Sequence, residues 1–217
     1  MLGHQIVLTV VSFLFYAVAF ADSVSNVTIR TRAENNRNAS VWYRVPENYR
    51  EISGRKWRAL DSVRRRFALK NRPVILYGYS AGGQCAALFS EFMKDEVAAW
   101  GVHGCGVFPL RDETLSTPVL VTCGEDDSVR FGISRQFAYR RRDAGGFVLW
   151  RGFANGHELN QDALKLADAW LSAFAGETPS VRSWGEDDTQ RILPVSRIER
   201  EFRNPLYTRA IERIWRQ

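Results

Sequence analysis

Pro73-Val-Ile-Leu-Tyr-Gly-Tyr-Ser80-Ala-Gly-Gly83 is the stretch from which the fold is read. Residues 73–77 form a short, unbroken apolar run, as a strand covered on both faces requires, and residues 82–94 read as a helix. Gly78-Tyr79-Ser80-Ala81-Gly82 therefore falls on a strand-to-helix turn, the setting in which a G-x-S-x-G pattern presents a nucleophile. Gly78 and Gly82 leave room for a sharp turn and let the helix approach the strand closely. Ser80 then projects at the carboxyl end of the sheet, beside a helix N-terminus whose dipole favours developing negative charge. On this reading the N–H of Ala81 is the first oxyanion donor, and Tyr79 either lines a pocket or supports the turn.

Strand and helix alternate away from this turn. Upstream, Trp57, Leu60, Val63 and Phe67 recur at helical spacing among Arg58, Asp61, Arg64, Arg65 and Arg66, the stripe of an amphipathic helix. Residues 27–32 and 41–45 read as two short strands around a polar turn. Downstream, residues 100–103, 118–122 and 147–151 read as strands, and residues 128–143 and 159–174 as helices. The less regular tail offers an extra strand at 191–195 and a short closing helix at 207–216. This order predicts a mostly parallel α/β sheet of about six strands with helices on both faces.

A serine nucleophile needs a base, and the chain holds three histidines. His4 lies in an apolar leader, and His103 falls inside a strand ahead of any acid at a strand end. His157, in Ala154-Asn155-Gly156-His157-Glu158, occupies a polar loop between the last core strand and a helix. The chain order serine, acid, histidine selects His157. The acid that orients the imidazole comes from Gly124-Glu125-Asp126-Asp127, which follows an apolar strand. Asp127 and Asp126 are both candidates on position, whereas Glu125 reads as solvated loop charge.

With these motifs the chain resembles the α/β-hydrolase superfamily. Residues 78–83 match its nucleophile elbow, residues 124–127 its Gly-x-x-Asp acid loop, and Gly156-His157 its histidine loop. The resemblance puts the acid three residues after the glycine and so implies the triad Ser80, Asp127 and His157. Val41-Trp-Tyr-Arg-Val-Pro-Glu-Asn-Tyr49 also looks like the "tyrosine, x, valine, proline" first strand of exported esterases related to prolyl-oligopeptidase-like and polyester-depolymerase-like hydrolases. The match spans most of residues 41–175.

A full member carries a strand with a His-Gly-type oxyanion loop, a helix and a further strand between that first strand and the helix leading to the elbow. Here only residues 47–54 intervene, and no His-Gly or Gly-Gly pair occurs in residues 22–72. The second oxyanion donor is therefore unassigned, and the core is expected to be truncated on its N-terminal side. The resemblance implies a serine hydrolase, carboxylesterase-like or, less favoured, peptidase-like, that works through an acyl-serine on a small-molecule or polymer ester without metal or organic cofactor. Loss of one oxyanion donor costs on the order of a hundredfold in rate, so weak activity is expected. The rival class is a catalytically impaired relative that binds a partner through the same cleft.

Composition sets the remaining bounds. At 217 residues and 45% hydrophobic content the chain suits one sizeable domain. Residues 1–21 carry no Asp, Glu, Lys or Arg, and 6–20 is almost continuously apolar before Ala19-Phe20-Ala21. This reads as a signal peptide with a small-residue cleavage site before Asp22; the run is shorter than the roughly 20 residues of a spanning helix. A secreted or periplasmic single domain over 22–217, without stable membrane insertion, is the expectation.

The net charge of +6 is uneven, +8 over residues 22–72 and −2 over 73–217. The arginines are scattered and carry no nucleic-acid-binding motif, so a solvated basic surface is expected and nucleic acid is not. Cys85, Cys105 and Cys123 have neither metal nor redox spacing and read as buried thiols. Asn26-Val-Thr28 and Asn38-Ala-Ser40 are glycosylation sequons in a eukaryotic host alone.

Overall fold

The structure, a computed structural model, describes strands 8–9, 26–32 and 38–44 together with residues 74–108, 115–174 and 179–217. The amphipathic helix expected at 57–67 lies outside the described residues, as does most of the 22–72 stretch that carries no His-Gly or Gly-Gly pair. In chain order the strands are β1 (Leu8–Thr9), β2 (Asn26–Arg32), β3 (Asn38–Arg44), β4 (Val74–Tyr79), β5 (Val97–His103), β6 (Val119–Gly124), β7 (Val148–Phe153), β8 (Ser183–Glu186), β9 (Ile192–Leu193) and β10 (Arg203–Leu206). The helices are α1 (Ala81–Phe92), α2 (Ser128–Asp143), α3 (Gln161–Phe174) and α4 (Arg209–Trp215).

The described chain falls into two units. One contains the hairpin of β2 and β3, paired antiparallel from Asn26 opposite Arg44 to Arg32 opposite Asn38. The other holds a five-stranded sheet of order β1-β4-β5-β6-β7. Every pair in that sheet is parallel. Leu8 and Thr9, within the segment read above as a leader, pair with Leu76 and Tyr77 at its edge.

The sheet is buried on both faces, and strand alternation decides which residue goes where. Ile75, Tyr77, Ala99, Leu120 and Leu149 pack with Leu166, Trp170 and Phe174 of α3 and with Ile211 and Trp215 of α4. Trp100, Val102, Val119, Val121, Val148 and Trp150 pack with Ala86 and Ala87 of α1 and Phe137 and Ala138 of α2. Helices therefore cover both faces of a parallel sheet, the α/β arrangement expected from the sequence.

The described part of the sheet has five strands where about six were expected. The expected tail strand is present as β9, but it joins a separate antiparallel sheet of order β10-β8-β9. Pro205, which lacks an N–H, is tolerated in β10 because that strand lies at the edge of the small sheet.

That small sheet is tied to the core by a buried polar network. Arg142 of α2 donates to Asn204 and Asp187 and to the carbonyls of Val148 and Glu201. Asn204 in turn accepts the Trp150 N–H at 2.7 Å and donates to Asp187 at 2.8 Å. Burial lowers the Arg142 pKa, and the Asp187 carboxylate opposes that shift. A guanidinium this deep is tolerated because its donors meet acceptors and a counter-charge.

Candidate active site

β4 ends directly at the turn that holds Ser80. Ser80 has φ 52° and ψ −119°, a left-handed backbone that costs a non-glycine residue energy and is held by its surroundings. Gly78 permits the turn, since a Cβ there would lie 2.1 Å from the Gly82 carbonyl oxygen. Gly82, Gly83, Ala86 and Ala87 are buried, so α1 packs closely through small side chains. The Ala81 N–H opens α1, where first-turn donors have no intrahelical acceptor.

Residues from three strand ends meet at this turn. The Ser80 hydroxyl donates to Nε2 of His157 at 2.9 Å, and Nδ1 of His157 donates to Oδ2 of Asp127 at 2.6 Å. The Asp127 side chain is 8% exposed and that of His157 is 32% exposed. Of the two acids weighed from position, Asp127 meets the imidazole and Asp126 is exposed. Glu125 is likewise exposed. The second Asp127 oxygen takes the Arg130 guanidinium at 3.1 Å, an interaction the sequence reading did not foresee.

The acid and histidine loops lie against each other. A Cβ on Gly124 would lie 2.1 Å from the Gly156 carbonyl oxygen, which explains the glycine at the end of β6. Asp126 N–H donates to the Asn155 carbonyl and Glu125 N–H to that of Phe153. The loops thus share a backbone ladder that fixes their separation.

Three further residues shape the site. Tyr79, read above as lining a pocket or supporting the turn, donates its hydroxyl to the His157 carbonyl at 2.7 Å. His103, set aside as base, is fully buried at the end of β5. Its Nε2 lies 2.8 Å from the Glu158 carbonyl and its Nδ1 lies 2.9 Å from the Thr122 hydroxyl. A carbonyl can only accept, so the proton sits on Nε2; burial holds the ring neutral, its pKa lowered to about 4. Gly104 has φ 58°, and a Cβ there would lie 3.1 Å from Nδ1 of His157. Its missing side chain makes room for the imidazole, a signal visible in the sequence only as a small residue after a strand.

The chain matches no protein-family model and no curated protein. Among solved structures it is similar to a ferulic acid esterase, at 16% identity and TM-score 0.47 over 54% of this chain and 58% of that one. It is also similar to a Bacillus cereus carboxylesterase, at 18% identity and TM-score 0.45 over 52% of this chain and 56% of that one. An enterochelin esterase from Shigella flexneri overlaps at 13% identity and TM-score 0.42, over 58% of this chain and 36% of that one. The matched part is under two thirds of each of these proteins.

Cys105 and Cys123 are buried free thiols and Cys85 is a partly buried one. Burial pushes the Cys105 and Cys123 thiols up to about 11, so they are protonated at neutral pH and unsuited to nucleophilic work. Among the described residues no helix is long and apolar enough to cross a membrane.

Proposed function

We propose that this chain is a serine hydrolase of the α/β-hydrolase type that cleaves carboxylic esters through an acyl-serine intermediate. The observation that carries the reading is the continuous Ser80–His157–Asp127 hydrogen-bond chain at 2.9 and 2.6 Å, standing on a strained strand-to-helix turn. Such a chain needs a nucleophile, a base and an orienting acid in contact.

His157 Nε2 takes the proton of Ser80 as Oγ bonds to the substrate carbonyl carbon. The carbonyl electron pair moves to oxygen, where the Ala81 N–H donates to it. The imidazolium, held by Asp127, returns its proton to the departing alcohol as the carbon–oxygen bond breaks. Water, giving a proton to His157, then attacks the acyl carbon; the bond from that carbon to Oγ breaks as His157 returns the proton to Oγ, which releases the acid and restores Ser80. Ester cleavage is favoured over peptide cleavage because an alkoxide leaves with less assistance than an amine.

The test is hydrolysis of a p-nitrophenyl ester series, from acetate to longer acyl chains. Turnover above background that Ser80→Ala abolishes supports the proposal; equal rates for wild type and Ser80→Ala would remove it. Retained binding of an ester or glycan without turnover would instead favour an impaired, ligand-binding relative.

We further propose export, with cleavage before Asp22 on the strength of the apolar run and Ala19-Phe20-Ala21. Removal of residues 1–21 would leave β4 as the edge among the described strands, and the mature domain would be residues 22–217. Intact mass of the protein from the producing cell's envelope or medium checks this, since the first residue should be Asp22.

A further inference from the structure

Tyr79 and His103 are partners in the β4–β5 register, side by side at the carboxyl ends of adjacent parallel strands. Their rings are 5.8 Å apart. Their polar atoms reach consecutive carbonyls of one loop, Tyr79 the oxygen of His157 at 2.7 Å and His103 that of Glu158 at 2.8 Å. The Glu158 oxygen also accepts from Asn155 Nδ2 at 2.9 Å. The Tyr79 ring stands 5.2 Å from the His157 ring.

Here two side chains from adjacent strands, β4 and β5, grip the consecutive peptide carbonyls on either side of the Glu158 Cα. The backbone of His103 is engaged as well, because its carbonyl accepts the Ser80 N–H at 2.8 Å. One residue thus touches the nucleophile's backbone through its main chain and the base's loop through its ring.

We propose that Tyr79 and His103 are positioning residues, a two-point clamp that fixes His157 relative to Ser80 and thereby sets the rate of acyl transfer. The clamp rests on the serine hydrolase reading above. It follows from the steep dependence of proton transfer on geometry, in which a 1 Å misplacement costs about a hundredfold. Tyr79 is the more readily tested, since its hydroxyl bonds at a partly exposed site and its loss leaves the ring in place.

The experiment measures kcat and KM on the best ester, and hydrogen–deuterium exchange of residues 153–160, for wild type, Tyr79→Phe, His103→Gln and His103→Leu. Tyr79→Phe is expected to lower kcat roughly tenfold, the cost of one hydrogen bond in the transition-state geometry. KM should hold, and exchange of the loop should quicken. His103→Gln, which keeps an N–H donor, should retain more kcat and slower exchange than His103→Leu.

Wild-type kcat and wild-type loop exchange in Tyr79→Phe would overturn the clamp, even if both His103 variants failed to fold. A matching fall in kcat for Gln and Leu at position 103, with unchanged loop exchange in each, would also overturn it. If wild type hydrolyses no ester, the enzyme reading fails. Exchange then decides the clamp alone: faster in Tyr79→Phe supports it, unchanged rejects it.

Discussion

The carbonyl oxygen of His103 accepts the backbone N–H of Ser80 at 2.8 Å, joining the last residue of β5 to the turn after β4. This bond extends the parallel ladder one step past β4 and anchors a residue whose φ of 52° is unfavourable by itself. The backbone of Ser80 is therefore held by the sheet through its N–H and by the first turn of α1 through its carbonyl, which accepts from Gly83 and Gln84. Rigid placement of this kind is what catalysis by pre-organised geometry requires.

Asp127→Asn should lower ester turnover by roughly 10³-fold or more, because an amide cannot stabilise the imidazolium or enforce its tautomer. Steady-state kinetics on the best ester checks this. Asp126→Asn, at the neighbouring exposed position, should stay within about twofold of wild type, as surface changes away from the chemistry do.

Gly124→Ala should destabilise the protein on the order of 3 kcal/mol or more, or prevent folding. The added methyl would sit 2.1 Å from the Gly156 carbonyl oxygen, and backbone on both sides must move to admit it. Urea unfolding measures the loss. Gly132→Ala offers a contrast, since its Cβ would meet nothing within 4 Å. In a helix interior that change should be neutral or stabilising by up to about 1 kcal/mol.

His103 makes stability fall on the acid side. Its ring resists protonation down to about 4 in the fold because of burial, while an unfolded chain takes up that proton near 6.5. Above 6.5 neither state binds the proton and the ring has no effect on the slope. Between 6.5 and about 4 the unfolded state binds more, so stability drops as pH is lowered, by on the order of 3 kcal/mol in total. Urea midpoints from pH 7 to pH 4 for wild type and His103→Gln should converge as the pH falls.

Asp187→Asn should cost about 3–5 kcal/mol, because it leaves the Arg142 guanidinium buried without its counter-charge. Thermal unfolding reads this directly. The triad is not part of that network, so turnover measured well below the transition should be nearly unchanged.

The central fold was legible because its cues are local. Pro73-Val-Ile-Leu-Tyr77, the glycines around Ser80 and the apolar stripe of Ala163, Leu164, Ala167, Trp170, Leu171 and Phe174 each state an element without reference to the rest, although Leu164 of that stripe is exposed. Ser80, Asp127 and His157 were legible for the same reason, since each stands in a short motif at a strand end.

The contacts of His103 and Tyr79 were not legible in the sequence, and that of Arg130 was overlooked. Their partners lie 55, 78 and 3 residues away, and only the first two require the tertiary register to be known. Arg130 could have been found, because a basic residue one turn after the acid on a helix start can reach back to it. β8 and β10 were missed because Ser183–Glu186 and Arg203–Leu206 are short, mixed in polarity and stabilised by Arg142, Asp187 and Asn204 from three separate segments.

The most direct measurement is labelling of the purified protein with a fluorophosphonate probe, with the modified residue located by peptide mass spectrometry. An activated serine predicts one adduct, on Ser80, that disappears in Ser80→Ala and falls by orders of magnitude in His157→Ala. No adduct on folded wild type, or an adduct that survives both substitutions, would contradict the triad and with it the proposed hydrolase.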